Sequence, residues 1–144
     1  MLIDANGIPL AVAVDAANVP EGPLGLAVLL TVLPLLRLSP SETPVPVLAD
    51  KAYDDDWLRE RLAERGFRLV SRHRKNRVKA PTSDGRSERR LARRWKVERT
   101  NAWLHSYRRA VTRYEKSVSR YEGFVSLACA FICLGKLEKK RVKK

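Results

Sequence analysis

The stretch "VPVLADKAYDDDWLRERLAERGFRLVSR", residues 45–72, decides the fold class of this chain. It opens with a short apolar run containing β-branched residues, which predicts a buried strand that ends at Asp50. The aspartates at 54–56 then supply an N-cap and first-turn negative charge for a helix, with Gly66 at its C′ position. The alternating "FRLVSR" that follows predicts a second strand. The order strand–helix–strand implies a parallel pair and hence an α/β sheet.

The segments before this stretch predict a hairpin and a helix. Asn6-Gly7 lies between two apolar runs and is the dipeptide that a type I′ turn prefers, because both central positions need positive φ. Residues 24–36 are mostly apolar and predict a helix that is buried on most sides and that Pro34 kinks or ends. The stretch 37–44 is interpreted as a linker between elements.

The segments after it predict a basic loop and two helices. The loop covers residues 72–86 and contains proline and glycine. Residues 87–107 contain neither glycine nor proline and predict one long helix. Residues 121–137 are apolar at near-helical spacing and predict the last helix, which a basic tail follows at 138–144.

The charge of the chain is unevenly divided. The 144 residues carry a net charge of +13. Residues 1–58 hold 2 basic and 8 acidic side chains, whereas residues 59–144 hold 27 basic and 8 acidic side chains. Such a basic second part favours a polyanionic partner. The longest apolar stretch has 13 residues, fewer than the ~20 that span a bilayer, so we expect no membrane partner.

The cysteines and the first residues indicate a reducing compartment. Cys129 and Cys133 lie in an apolar run without a CxxC pair or a second Cys/His cluster, so we expect buried free thiols rather than a zinc site. The start "MLIDANG" has an acid at Asp4 and no basic segment, so no signal peptide is expected.

One acid, Glu98, stands in the basic and aromatic stretch "RRWKVERTNAWLHSYRR". On a continuous helix, four polar residues would share one stripe: Arg94, Glu98, Asn101 and His105. An adjacent face that could pack on a sheet would hold Leu91, Trp95 and Ala102. The simplest interpretation of Glu98 is a surface ion pair with Arg94, which is worth about 0.3–0.5 kcal/mol.

Asp50 and Glu98 together allow a second interpretation. An acid at the end of a strand often only caps the next turn, but the carboxyl ends of strands are also where α/β sheets place their sites. Hard divalent cations prefer oxygen ligands, and two such ions can clamp the attacking and leaving oxygens of a phosphodiester. The two carboxylates would form half of a magnesium site, and both interpretations stay open.

Two long segments, "LADKAYDDDWLRERLAERGFRLVSRHRKNR" and "RRWKVERTNAWLHSYRRAVTRYEKSVSRYEGFVSLACAFICL", resemble the catalytic domain of bacterial DDE transposases of insertion-sequence families Four and Five. The opening "LIDANGIPLAVAVDAANVPEG" is similar to a hairpin of this group, so the resemblance covers Leu2 to about Leu137. It implies a ribonuclease H-like fold in which three acids bind Mg²⁺ or Mn²⁺, with two ions in the complete enzyme. Asp50, in "ADKAYD", matches the second aspartate, and Glu98, in "KVERT", matches the glutamate.

The family also carries a Tyr–x2–Arg–x3–Glu–x6–Lys pattern on the helix of its glutamate. Arg94 and Glu98 match this pattern, whereas Leu91 stands at the tyrosine position and His105 at the lysine position. The resemblance therefore implies DNA contacts from Arg94 and from His105, or from basic residues near it.

The first aspartate of the family precedes the hairpin, and no early acid of this chain has that context. Asp4 is interpreted as a turn-flanking residue and Asp15 as a strand-end or loop acid. We expect an incomplete ribonuclease H-like α/β domain over residues 1–137, without the N-terminal first strand and with a C-terminal helical extension. A decayed remnant and a frameshift-encoded part, joined to an upstream-frame polypeptide, both stay open. Alone, the chain is expected to bind DNA weakly and not to cut it.

The function implied by the resemblance is metal-dependent DNA strand cleavage and transfer in transposition. Expected partners are transposon ends and target DNA, with a homo-oligomer as a further expectation, in the bacterial cytoplasm at the nucleoid. Phosphate contacts, which position DNA but carry little sequence information, are expected from Arg72, Arg74, Lys75, Arg77, Arg108, Arg109 and Arg113. The alternatives are a non-catalytic basic nucleic-acid-binding protein and a nuclease of the same fold without strand transfer.

Overall fold

The computed structural model describes residues 1–16, 18–35, 43–81 and 85–142. In chain order its strands and helices are β1 (Leu2–Ile3), β2 (Pro9–Ala11), α1 (Glu21–Val32), β3 (Val45–Leu48), α2 (Asp56–Ala63), β4 (Phe67–Val70), α3 (Gly85–Leu91), α4 (Trp95–Leu104), α5 (Arg108–Val111) and α6 (Val118–Val142). They divide into two compact units: the α/β unit, Pro20–Trp95, and the hairpin–helix unit, Met1–Val19 with Lys96–Lys144. The prediction of one domain over residues 1–137 stays a prediction.

The strands β3 and β4 form the predicted parallel pair, with Val45 opposite Phe67 and Leu48 opposite Val70. The helix α2 connects them and packs on β4. A second two-stranded sheet, β1 with β2, is antiparallel. The chain is therefore a mixed α/β protein, as the strand–helix–strand pattern predicted.

The strand β3 is shorter and more exposed than predicted. It ends at Leu48, two residues before Asp50. Its first residue, Val45, is 37% exposed, whereas Phe67 of β4 is 2% exposed. Because α2 and α3 pack on β4, the apolar residues of β4 supply the core and those of β3 lie at its border.

The ends of α2 follow from the local sequence. Asp55 is the N-cap, and its side chain accepts a hydrogen bond from Trp57 N at 2.9 Å, which confirms the predicted capping aspartates. Gly66 has a φ of +76°, as a helix-ending glycine should. It lies two residues after the C-cap Glu64, which is one position beyond the predicted C′ site.

The helix α1 begins three residues before the predicted Leu24, at Glu21. Pro23 is tolerated in the first turn because the first backbone N–H groups of a helix have no intrahelical partner. The helix ends at Val32, and a 3₁₀ turn containing Pro34 follows, as predicted. Its predicted burial on most sides is wrong, because Leu30 is 40% exposed. The predicted linker falls mostly on residues 36–42, which lie outside the described residues.

The predicted long helix over residues 87–107 is wrong in its continuity. It is divided into α3 and α4 by a 3₁₀ turn at Ala92–Arg94, and α4 ends at Leu104. No glycine or proline signals this interruption, and it coincides with a tertiary ion pair of Arg94 that the helical period cannot show. The predicted face of Leu91, Trp95 and Ala102 also fails, because Trp95 is 50% exposed.

The hairpin β1–β2 has a different turn from the one predicted. Asp4 N donates to Ile8 O at 2.9 Å and Gly7 N donates to Asp4 O at 3.1 Å, which encloses residues 5–7 as a three-residue loop. Only Gly7 has positive φ, at +84°, whereas a type I′ turn would need it at Asn6 as well. The side chain of Asp4 accepts from the backbone N–H groups of Asn6 and Ile8, which confirms its turn-flanking role.

The helix α6 is longer than predicted and runs through Val142, so residues 138–142 of the predicted tail are helical. Its buried face, Val125, Ala128 and Ile132, forms the core of the hairpin–helix unit with Leu104. By length and composition its segment Val118–Lys139 could cross a membrane, which the count of uninterrupted apolar residues did not detect. A single such helix is weak support for a membrane role, because core helices of soluble proteins pass the same test.

Both cysteines are free thiols on α6, as predicted, but they are half-buried rather than fully buried. Burial raises the pKa of each thiol, and each is raised further by a neighbouring acidic group, Cys133 for Cys129 and Asp4 for Cys133. A raised pKa keeps the thiols protonated and unreactive near neutral pH.

Candidate metal and nucleic-acid site

Asp50 lies two residues after the carboxyl end of β3 and begins the 3₁₀ turn Lys51–Tyr53. Its Oδ1 accepts from Lys51 N at 2.6 Å, so the predicted capping role is confirmed. The guanidinium of Arg94 also binds this carboxylate with both nitrogens, Nη1 to Oδ1 at 3.1 Å and Nη2 to Oδ2 at 3.4 Å. The side chain of Asp50 is 51% exposed and that of Arg94 is 30% exposed, so the pair is reached by solvent.

The 3₁₀ turn after Asp50 is seated on α1 through Tyr53. A Cβ added to Gly25 would lie 2.6 Å from Cε1 of Tyr53, so only glycine allows this close approach. Burial, followed by the charges of Glu21 and Asp50, raises the pKa of Tyr53. The contact holds the segment "ADKAYD" against α1, and the sequence analysis missed it because a glycine inside an apolar helix carries no signal of what packs on it.

Glu98 lies on the first turn of α4, and its side chain is exposed. The predicted surface pair between Arg94 and Glu98 is wrong, because Arg94 pairs with Asp50. Within the described residues the structure shows no ion pair for the Glu98 carboxylate. Asn101 and His105 are also exposed, and His105 follows the last residue of α4. Of the predicted polar stripe, α4 therefore holds only Glu98 and Asn101, because Arg94 belongs to the preceding 3₁₀ turn and His105 follows the helix.

The hairpin loop holds the part of α4 that carries Glu98. Three consecutive loop carbonyls accept hydrogen bonds from α4: Ala5 O from Lys96 Nζ, Asn6 O from Arg99 Nη2 and Gly7 O from Thr100 Oγ1. These three donors surround Glu98 in the sequence "KVERT". Glu98 lies between these donors in the sequence, and its side chain is exposed.

Thr100 is the buried centre of this contact. Its side chain is 0% exposed, and its Oγ1 lies 2.7 Å from Gly7 O and 2.9 Å from Lys96 O. A Cβ added to Gly7 would lie 2.9 Å from Arg99 Nη2 and 3.1 Å from Thr100 Oγ1, so the loop needs glycine for space as well as for its φ. The sequence analysis missed Thr100, and the glycine of "DANG" is the signal that a backbone approaches closely there.

A second polar cluster surrounds Asp54, whose side chain is only 1% exposed. Its carboxylate accepts from Arg59 Nη2 at 2.8 Å, from Arg74 N at 2.8 Å and from Arg77 Nη1 at 3.1 Å, and it lies 3.1 Å from Nδ1 of His73. Burial alone would raise the pKa of Asp54, but the hydrogen bonds from Arg59, Arg74 and His73 outweigh it and lower the pKa to about 2. The cluster ties the basic loop to the start of α2.

The Asp54 cluster engages two of the predicted DNA contacts. Arg77 also donates to Asp56 Oδ1 at 2.6 Å, and its side chain is 10% exposed. The guanidinium of Arg74 donates to backbone carbonyls of the 3₁₀ turn, Lys51 O at 3.1 Å and Ala52 O. The side chains of Arg72 and Lys75 are exposed, and among the described residues neither has an ion pair. Arg72, Arg74, Lys75 and Arg77 were all predicted to contact phosphates, because a charge run does not show which cations are neutralised.

The other basic segment, residues 108–113, places arginines over aromatic rings. The guanidinium carbons of Arg108, Arg109 and Arg113 lie 5.8, 4.7 and 5.9 Å from the ring centroids of Tyr114, Phe124 and Tyr121. All three arginines are exposed, and Arg109 also pairs with Glu115 at 2.9 Å. A ring orients a guanidinium without neutralising its charge, so this segment keeps its positive charge at the surface.

Asp50 and Glu98 suit a divalent cation by the chemistry of their donors. Both offer carboxylate oxygens, the ligands that Mg²⁺ prefers, and both are exposed. Over residues 1–16, 18–35, 43–81 and 85–142, the structure contains no group of three or more His, Cys, Asp or Glu that could hold a metal ion. Asp50 belongs to the α/β unit and Glu98 to the hairpin–helix unit, so their joint role stays a prediction.

The described residues thus combine exposed carboxylates and two basic segments in a mixed α/β fold. The profile of the family described as "Transposase DDE domain" matches residues 1–133, so the chain belongs to this family. A relative from Burkholderia cepacia, named "Putative transposase for insertion sequence element IS402", is 35% identical over 141 residues. This match covers 96% of the chain and 63% of the relative's length. No solved structure matches the chain.

Proposed function

We propose that this chain is the catalytic part of a transposase that cleaves and transfers DNA strands in the transposition of an insertion sequence. The observation that carries the proposal is the position of Asp50: it follows the carboxyl end of a parallel strand, in the motif "ADKAYD", with its carboxylate exposed. Membership of the DDE transposase family supports the same reaction class. An exposed acid at this place can meet a ligand, whereas Asp54, four residues later, is buried and cannot.

The fold proposed for the complete protein is ribonuclease H-like. The parallel pair β3–β4 with its connecting helix is a part that such a sheet requires, and α6 would be the C-terminal helical extension. One proposed partner is an upstream-frame polypeptide that supplies the first strand with the first catalytic aspartate. In that arrangement Asp50 and Glu98 would be the second and third acids.

In the proposed site Asp50 and Glu98 hold two Mg²⁺ or Mn²⁺ ions. When bound, such ions stabilise charge on the attacking and leaving oxygens of a phosphodiester. The chain itself binds the DNA backbone and orients it. The cations best placed for this are exposed and have no ion pair within the part of the chain that the structure describes: Arg72, Lys75, Arg108 and Arg113. Arg94, His105, Arg74 and Arg109 complete the set of proposed DNA contacts. Arg77, which the sequence also suggested, is left out of the set because its guanidinium is held by Asp54 and Asp56.

The proposed partners are transposon ends and target DNA, in the bacterial cytoplasm at the nucleoid. A homo-oligomer is part of the proposal, because strand transfer joins two DNA ends to one target. With two of the three acids, the chain alone is expected to bind DNA and not to cut it. Strand cleavage by the purified chain with transposon ends and Mg²⁺ or Mn²⁺ would contradict this expectation.

A non-catalytic basic nucleic-acid-binding protein is the second candidate function. The ion pair between Asp50 and Arg94 favours it, because a carboxylate with a guanidinium partner needs no metal to be satisfied. It does not account for the three hydrogen bonds that fix the helix segment around Glu98 and leave its carboxylate exposed.

Substitution of the acids in the complete, reconstituted enzyme distinguishes the two functions. We expect Asp50→Ala and Glu98→Ala to abolish transposition while DNA affinity falls little or rises, because the acids repel phosphates. The matched control is Glu138→Ala, which removes an exposed acid from α6 and should preserve transposition. Retained transposition in both acid variants would favour the non-catalytic binder.

A further inference from the structure

We infer that Arg94 holds the Asp50 carboxylate in place, and that a divalent ion has to displace Arg94 in order to bind there. The inference rests on the proposed function, because it concerns the same carboxylate. It adds a positioning residue to that site and a coupling between metal binding and DNA binding.

The geometry shows that Arg94 occupies both oxygens of Asp50. Its two terminal nitrogens lie 3.1 Å from Oδ1 and 3.4 Å from Oδ2, and Lys51 N donates to Oδ1 at 2.6 Å. A carboxylate has about four acceptor positions, of which three are used here. A divalent ion at this carboxylate would meet a fixed positive charge, so binding of the ion and the Arg94 fork oppose each other.

The exposure of the pair shows that it can open. The side chain of Asp50 is 51% exposed and that of Arg94 is 30% exposed. Solvent-exposed ion pairs contribute little free energy, because water solvates each charge almost as well as the partner does. Asp54 is the contrast: it is 1% exposed and accepts from several donors, so its partners cannot be exchanged for a ligand.

One guanidinium cannot bind the Asp50 carboxylate and a DNA phosphate with the same nitrogens. A divalent ion that displaces Arg94 therefore frees it for the phosphate contact proposed above. Such coupling is reciprocal: DNA that binds Arg94 raises the affinity of Asp50 for the ion by the same factor. Metal and DNA would then assist each other through a single side chain.

The first test is a Mn²⁺ titration of the purified full chain, with free Mn²⁺ measured by electron paramagnetic resonance. We compare the wild type with Arg94→Gln and with Arg93→Gln, a control that removes the same charge from an exposed neighbour on the same turn. Arg94→Gln should lower the half-saturating Mn²⁺ concentration about 2- to 5-fold relative to the control, as expected for loss of a solvent-exposed pair. The half-saturating Mn²⁺ concentration of Arg94→Lys should lie between those of Arg94→Gln and Arg93→Gln, because lysine keeps the charge but cannot bind both carboxylate oxygens as the guanidinium does.

The outcomes separate this inference from the proposed function. Equal half-saturation in Arg94→Gln and Arg93→Gln would overturn the inference while leaving Asp50 as a metal ligand. Unchanged Mn²⁺ binding in Asp50→Asn would instead overturn the metal role of Asp50, and both proposals with it.

The second test measures DNA affinity with and without Mn²⁺ at constant ionic strength. The wild type and Arg93→Gln should gain about 2- to 5-fold in affinity when Mn²⁺ is added, and Arg94→Gln should lose this gain. An equal gain in all three chains would contradict the coupling.

Discussion

The two units of this protein use their arginines in different ways. In the α/β unit, Arg59 and Arg77 converge on the buried carboxylate of Asp54 and become part of the interior. In the hairpin–helix unit, the buried polar centre is the uncharged hydroxyl of Thr100, and the arginines of residues 108–113 lie over aromatic rings at the surface. Arginine therefore stabilises the interior of one unit and provides positive charge at the surface of the other.

This difference limits what a net charge can tell. The chain has 29 lysines and arginines, but a guanidinium held by two carboxylates, as Arg77 is, presents little charge to a partner. A guanidinium over a ring keeps its full charge. The DNA surface of the protein should accordingly depend more on residues 108–113 than on the arginines of the Asp54 cluster.

The largest expected effect comes from Asp54→Asn. The change removes the buried charge that Arg59 and Arg77 share, and breaking such a buried pair costs about 3–5 kcal/mol. Urea unfolding should show a correspondingly lower midpoint. The control Asp55→Asn keeps a good N-cap at an exposed position and should change stability by less than about 0.5 kcal/mol. A similar loss of stability in both variants would show that the buried charge of Asp54 is not the cause of the effect.

Acid should destabilise the α/β unit through the same residue. The pKa of Asp54 is lowered from its ordinary value of 3.8 to about 2 in the folded chain. Its contribution, on the order of 2 kcal/mol, is therefore present above pH 3.8 and is lost as the pH falls towards 2. Unfolding curves of wild type and Asp54→Asn should converge over this window. A constant difference between them down to pH 2 would contradict the lowered pKa.

The hairpin–helix unit should respond to loss of one hydroxyl. Thr100→Val keeps the shape of the side chain but leaves the buried Gly7 carbonyl without its donor, which costs about 1–3 kcal/mol. Thr100→Ser keeps the hydroxyl and should restore part of the loss. The exposed Thr112→Val serves as the control in the same urea experiment. If valine and serine at position 100 were equally harmful, the hydrogen bond would not be the cause.

The smallest effect concerns the salt dependence of DNA binding. Replacing Arg108 and Arg113 by glutamine should reduce the slope of log affinity against log salt by about 0.9 for each phosphate that the protein no longer neutralises. Arg77→Gln should leave this slope unchanged and lower stability instead, since its guanidinium is 10% exposed and bound to two carboxylates. A reduced slope in Arg77→Gln with unchanged stability would break the comparison between the two units.

The sequence predicted more of the fold than of the contacts within the candidate site. The strand–helix–strand segment, the capping aspartates, the proline that ends α1 and the Asp50 cap all follow from short-range rules and were confirmed. The type I′ turn and the uninterrupted helix over 87–107 were wrong, because both depend on contacts with distant residues. Thr100 holds the hairpin loop over a separation of 93 residues, and Arg94 reaches Asp50 over 44.

By itself the sequence determined the α/β class and the family, because these depend on local periodicity and on ordered residue patterns. The places of Asp50 and Glu98 in the family's motifs stay a prediction from the same patterns. Only the tertiary structure decided which groups surround each charge. Asp54 is buried among arginines, Arg94 pairs with Asp50 instead of Glu98, and Glu98 is exposed on a helix segment that is hydrogen-bonded to the hairpin loop. The physical reason is that a charge acts through the groups within a few ångströms of it, and the fold chooses those groups from residues remote in the chain.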